Sequence, residues 1–314
     1  MMKMTIKDIA TLCKVGKSTV SRVLNNDPKV KAETRAKVQQ VIDSLNFQPN
    51  RTARAMRGSG EPIVGIIISR LNSAAESQTL STMLQALYRL HITPIIVESQ
   101  FYPEQVEHHL KLFQQRRVDG VILFGFSGLT RAVLTQWKKA LVIVARQYEG
   151  YSCVYYDDEN AMQALLSKLY QNGHRDIAYL GVVDTDETTG HRRNLAYQRF
   201  CHEHRLTVNF VEAELNVESA YLHCRTLFER PVSALLCAGN TLATGALKFL
   251  HETDRTLPLA YVGQNALLGY LAPQTVSLDF GYAQAGEWAV ELLLKQLNGD
   301  NTVEQRQASF HLIE

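Results

Sequence analysis

Short, continuous apolar runs that recur between amphipathic stretches constrain this chain more than any other feature. From Pro62 onward they occupy residues 63–68, 94–97, 120–124, 141–145, 177–181, 234–237 and 260–263. They lack the polar alternation of a half-exposed strand, so each predicts a strand of a parallel sheet covered by helices on both faces. The repeated strand-then-helix order implies doubly wound α/β sheets. Two such series, with a break near Asp157-Asp158, imply two lobes within residues 61–314. Lobe one is expected over 61–157 plus 282–298, the latter a helix that crosses back. Lobe two is expected over 158–281 plus 304–314, with its last strand at 307–313.

The amino-terminal part is different in charge. Residues 1–60 carry twelve Lys and Arg against four acids, a net of +8 in a chain whose total is +2. A basic head on an acidic body points to a polyanion for the head. Pattern agrees. Thr5 precedes Ile6, Ile9, Ala10 and Cys13 on one helix face, with Asp8 placed to support the Thr5 cap. After a break at Lys14-Val15-Gly16, residues 17–24 form a second short helix with Val20, Val23 and Leu24 inward, ended by Asn25-Asn26-Asp27-Pro28. A third helix over 32–45 turns Val38, Val41, Ile42 and Leu45 to one side. Two short helices across a tight turn, backed by a third, make an all-α helix-turn-helix head over residues 1–47.

The second helix leaves hydroxyls and cations outward. Lys17, Ser18 and Arg22 are placed to read base edges, and Thr5, Thr19, Ser21, Asn25 and Thr34 to hold phosphates. Gly16-Lys17-Ser18-Thr19 imitates the tail of a nucleotide-binding loop, but Thr11 stands where that loop needs glycine and a helix precedes it instead of a strand. Residues 48–60 follow as a hinge. Pro49 and the alanines favour a short helix with almost no apolar face, unstable alone. Asn50, Arg51 and Arg54 are placed for DNA, and Met56, a lone large apolar side chain among arginines, suits a wedge between base steps of the minor groove.

In open α/β sheets a ligand binds beyond the carboxyl ends of the strands. Arg70, Arg146 and Arg193 fall at such ends or at a helix start, a set suited to a multivalent anion. Thr188 and Thr189 add donors. Glu76, Asp186, Asn240 and Thr241 suit sugar hydroxyls, while Phe126 or Tyr282 offers an apolar face. Gly125 and Asp279 lie at the same strand mouths. His108-His109 and His202-Glu203-His204 lack metal-site spacing, Asp184-Thr-Asp186 lacks the rest of a calcium loop, and no nucleotide or nucleophile-elbow motif appears. A cofactor-free, non-enzymatic chain is expected. The rival reading is a sugar-binding protein or sugar-metabolising enzyme with a basic extension.

Hydrophobic residues make up 46% of the chain and charged ones 20%, which excludes wholesale disorder. No apolar run reaches the roughly 18 residues of a membrane helix, and the start Met1-Met2-Lys3-Met4 has no signal-peptide core. Five scattered cysteines without a paired motif fit reduced thiols. A cytoplasmic protein that does not engage membranes is expected.

The run Thr5-Ile-Lys-Asp-Ile-Ala10, then Thr19-Val-Ser-Arg-Val-Leu-Asn25, Thr34-Arg, Pro49-Asn50 and the hinge alanines resembles the LacI/GalR family of bacterial repressors. The resemblance extends over the body, which is similar to a periplasmic sugar-binding fold. It implies a dimeric repressor of a sugar-utilisation operon that binds double-stranded operator DNA and is released by a small effector. Within the family, Thr188-Thr-Gly190 and Tyr156-Asp-Asp-Glu159 look like a member that answers to a phosphosugar. The rival within the family is a repressor of another sugar, sugar phosphate or purine. A dimer is further expected because no heptad helix follows the last strand. Four departures stand out: Lys14 at a turn usually glycine, Gly16 and Lys31 for capping serines, Met56 for leucine. A fifth is Asn240 where many relatives have aspartate.

Overall fold

The computed structural model describes residues 6–24, 27–45, 62–272 and 275–313. The chain divides into two compact units, Met1–Glu61 and Pro62–Glu314. In the first, α1 (Ile6–Leu12), α2 (Lys17–Leu24) and α3 (Ala32–Ser44) pack around Ile9, Ala10, Cys13, Val20, Val23, Val38 and Ile42. These are the apolar positions at helical spacing, which is why the short helices hold: burial of one face supplies what their length does not. Two local costs are visible. Lys14 turns the chain at φ 51°, a left-handed conformation worth about 1 kcal/mol for a residue with a Cβ. Lys31 precedes α3 with no side-chain cap hydrogen bond, so no side chain satisfies the first amides.

The second unit holds two six-stranded sheets. The first contains β1 (Ile63–Ile68), β2 (Thr93–Glu98), β3 (Gly120–Phe124), β4 (Ala140–Val144), β5 (Ser152–Tyr156) and β11 (Gln305–Ala308), in the order β11-β5-β4-β3-β1-β2. The second contains β6 (Ile177–Val182), β7 (Asn209–Ala213), β8 (Ala234–Cys237), β9 (Leu259–Tyr261), β10 (Val276–Asp279) and β12 (His311–Ile313), in the order β12-β10-β9-β8-β6-β7. Strands β1, β3, β6 and β8 are buried along their whole length, as two-sided helix cover requires. Ile66 pairs with Ile96 on one side and Ile122 on the other.

Two expectations change. The single last strand at 307–313 is two strands: β11 pairs parallel with β5 in the first sheet, and β12 pairs antiparallel with β10 in the second. Residues 305–308 therefore belong with lobe one, and the second sheet is not wholly parallel. The cause is the preceding helix Tyr282–Leu297, which packs against Ala74–Arg89, β3, β4 and β5 and delivers the chain beside β5. Gly286 permits this packing, since a Cβ there would lie 2.5 Å from the Thr79 carbonyl oxygen. Ser309-Phe310 then carries the chain to the other sheet past Gly281, at φ 75°, where a Cβ would meet Ser309 O at 2.4 Å. Strands β5, β7 and β10 were not expected, because Ser152, Asn209, Glu212, Ser277 and Asp279 interrupt their apolar runs.

Candidate ligand cleft and candidate nucleic-acid interface

Strand order reverses once in each sheet, between β1 and β3 and between β6 and β8. Helices that wind to opposite faces leave a crevice at such a point. The chain just past these strands lines one cleft, partly open to solvent. Lobe one contributes Ser69, Arg70, Glu76, Phe101, Gly125, Phe126 and Ala145, and lobe two Asp158, Asp186, Thr188, Thr189, Arg193, Asn240 and Thr241, with Tyr156, Phe280 and Tyr282 at the floor. This mixture of aromatic faces and many polar groups suits a small polar molecule.

The three arginines expected around one anion have three different surroundings. Arg70 lines the cleft, stacks 5.3 Å over the Phe101 ring, and donates from Nη1 to Leu215 O of lobe two at 2.7 Å. Its Nε is buried without a partner. Arg193 also lines the cleft, but each of its nitrogens already has a partner: Nε and Nη2 reach Asp158 Oδ1 at 2.7 and 2.6 Å, and Nη1 donates to Ala238 O. Burial opposes its charge, and the Asp158 carboxylate together with the neighbouring Tyr282 and Tyr179 offsets this, so the guanidinium titrates above its ordinary range. Arg146 does not line the cleft. It lies 5.7 Å from the Tyr148 ring and pairs with Glu187 of lobe two.

Glu76 accepts from the amides of Ser69 at 2.6 Å and Arg70 at 3.3 Å, fixing the turn after β1. Burial pushes its carboxyl up to about 7, against the opposing pull of those amides and the Arg70 charge. Asp186 caps the π-helix Glu187–Arg192, accepting from Thr189 N at 2.8 Å and Gly190 N at 3.3 Å, while Thr188 Oγ1 donates to it at 3.3 Å. Asn240, nearly buried, opens the helix Asn240–Glu252 and leaves its Nδ2 without a partner. Thr241 lies beside it in the wall. Phe126 meets Phe101 edge to face at 5.8 Å, and Tyr282 meets Tyr156 the same way at 5.4 Å. Gly125 is hemmed in, since a Cβ would come within 2.9 Å of the Tyr148 ring. Asp279 does not line the cleft. Its carboxylate accepts from Gly281 N at 2.9 Å and lies 3.8 Å from His311, which holds the crossing between sheets.

Asp158, Tyr156, Phe280 and Phe101 line the cleft without having been expected there. Asp158 read as part of a lobe break. Tyr156 and Phe280, stacked at 5.0 Å, carried no periodic signal. Phe101 reaches the cleft because Gln100 and Phe101 take φ 52° and 62° in succession, strain of the kind that gathers at ligand clamps. Ala145, at φ 75°, is a third such residue on the same rim. The run Tyr156-Asp-Asp-Glu159, part of the resemblance, was the signal that contained Tyr156 and Asp158.

In the head, Lys17, Ser18 and Arg22 are exposed on α2, opposite buried Val20 and Val23, and Thr19, Ser21 and Thr34 are half-buried beside them. Arg22 lies 3.7 Å from Asp27 in a solvent-exposed pair, which screening weakens. Thr5, Asn25, Asn50, Arg51, Arg54 and Met56 lie outside the described residues. Among the described residues no group of three or more side chains is arranged for a metal, and no helix is long and apolar enough to cross a membrane.

The model of bacterial regulatory proteins of the lacI family matches residues 5–50, and that of the periplasmic binding protein-like domain matches residues 166–314. The chain is 46% identical over 298 residues to the HTH-type transcriptional regulator TreR of Salmonella typhimurium, covering 95% of each. It is 45% identical over 304 residues to TreR of Escherichia coli, covering 96% of each. A solved structure of the trehalose repressor from Escherichia coli superposes with a TM-score of 0.78 at 41% identity, covering 81% of this chain and 100% of that one. A basic three-helix head, two α/β lobes with a cleft at their switch points, and likeness over nearly the whole length converge: the chain belongs to the lacI family of bacterial regulatory proteins.

Proposed function

We propose that this chain represses a trehalose-utilisation operon as a cytoplasmic homodimer, and that a phosphosugar, trehalose 6-phosphate, releases it from operator DNA. The observation that carries this reading is the 45–46% identity to TreR regulators along nearly the whole chain. The cleft supports it: Arg70 supplies a cation with a donor to spare, and Phe101 and Phe126 supply apolar faces for a sugar ring. In this reading residues 1–47 dock α2 in the major groove, residues 48–60 form a hinge helix whose Met56 wedges the minor groove, and residues 61–314 bind the effector and the second copy. The effector acts by binding the DNA-free arrangement of the lobes more tightly than the DNA-bound one.

The test begins with selection from a random duplex library, which is expected to yield a palindrome. Trehalose 6-phosphate then dissociates that complex in gel shifts, whereas glucose 6-phosphate and trehalose do so weakly. Arg22→Ala relaxes base preference at one position of each half-site, losing about 1–3 kcal/mol of discrimination. Uniform affinity for all duplexes, or release by a purine or an unrelated sugar alone, defeats the reading.

A further inference from the structure

The contacts that bridge the two lobes include one that mimics a ligand. Glu187 opens the π-helix of lobe two, and its amide donates to Ser127 Oγ of lobe one at 2.8 Å. Its carboxylate Oε2 pairs with Arg146 Nη2 of lobe one, and Oε1 lies 3.3 Å from Arg192 Nη2. Arg146 immediately follows Ala145, a cleft-lining residue, and its side chain is 20% exposed. A cation one residue from the cleft is thus paired with an anionic oxygen of Glu187, in the way it would pair with an oxygen of a phosphate. Glu187 is 40% exposed, so water screens the pair and breaking it costs little. Two further bridges, Arg70 Nη1 to Leu215 O at 2.7 Å and Gln78 Nε2 to Gln264 O at 3.0 Å, use neutral acceptors that an anion does not replace in kind.

We infer that Glu187 is an internal competitor for the anionic group of the effector: it occupies Arg146 and clasps the lobes until that group takes the cation over. This rests on the reading that the effector is a sugar phosphate. It makes Glu187 a specificity-determining residue that weakens anion binding and leaves the uncharged sugar portion untouched.

The test uses the full-length protein, Glu187→Gln, Arg146→Ala and the double variant. Titration calorimetry with trehalose 6-phosphate is expected to give about five-fold tighter binding for Glu187→Gln, the upper range for an exposed ion pair. Binding of trehalose stays within about two-fold, and the gain vanishes when Arg146→Ala is also present. Unchanged or weaker phosphosugar binding, an equal gain for trehalose, or a gain that survives Arg146→Ala overturns the inference. Spin labels at one exposed position in each lobe report the clasp without ligand. Longer and broader distances are expected for Glu187→Gln, and distances identical to wild type overturn it. Should the wild type bind neither sugar, the functional reading fails, and the ligand-free distances alone decide the clasp.

Discussion

The two walls of the cleft bury carboxylates in opposite ways. On the lobe-two wall Asp158 is matched at 2.6–2.7 Å by Arg193, whose remaining Nη1 is taken by the Ala238 carbonyl. On the lobe-one wall Glu76 has only two backbone amides, and Arg70, the nearest cation, points to Leu215 with its Nε unmatched. The first pair is complete without a ligand. The second is not, and its incompleteness is where a ligand gains most, because buried donors without partners are costly until something fills them. Charge density alone does not distinguish the two walls; saturation does.

That contrast can be broken at its stronger end first. Asp158→Ala leaves Arg193 buried and unmatched and is expected to cost about 3–5 kcal/mol in urea denaturation. A loss under about 1 kcal/mol would mean that water completes Arg193 as well as Asp158 does. Glu76 sharpens the comparison through pH. Its folded-state value of about 7 exceeds the ordinary 4.5. Protonation therefore favours the fold: the contribution is full below pH 4.5 and is lost as pH rises through 7. Glu76→Gln removes this dependence, so wild type falls about 1–2 kcal/mol relative to it between those limits, allowing for partial exposure. Parallel stability curves for the two proteins would refute it. The smallest effect is expected from Arg70→Met, under about 1 kcal/mol, since one neutral-acceptor hydrogen bond is lost and an unmatched donor goes with it. A loss comparable to that of Asp158→Ala would erase the distinction.

Much of this architecture was legible because central strands of a parallel sheet declare themselves: Ile63 to Ile68 and Gly120 to Phe124 are apolar on both faces since both faces are covered. The head was legible for the complementary reason, its apolar residues falling at helical spacing. Strands β5, β7 and β10, whose short runs carry polar residues, were invisible. In the cleft, residues fixed by their position after a strand, such as Arg70 and Asn240, were found. Whether such a residue faces the ligand depends on a partner far along the chain, and local pattern is silent there. Arg146 was placed correctly at its strand end, yet Glu187, 41 positions later, draws it aside. Asp158 looked like a linker because nothing near it announces Arg193. Phe101 enters through two consecutive left-handed residues that carry no glycine to mark them.

Strand β11 completes the edge of the first sheet with residues 305–308, after every strand of the second sheet except β12 has been made. Among the described residues, the helices of the head are complete by residue 44. During synthesis, therefore, the three-helix unit is finished roughly 260 residues before lobe one acquires its last strand, an interval of about 13–50 s at ordinary elongation rates. The base-reading helix is thus made well before the cleft can sense anything, and a truncation before β11 would leave an unpaired strand edge at β5 open to other chains.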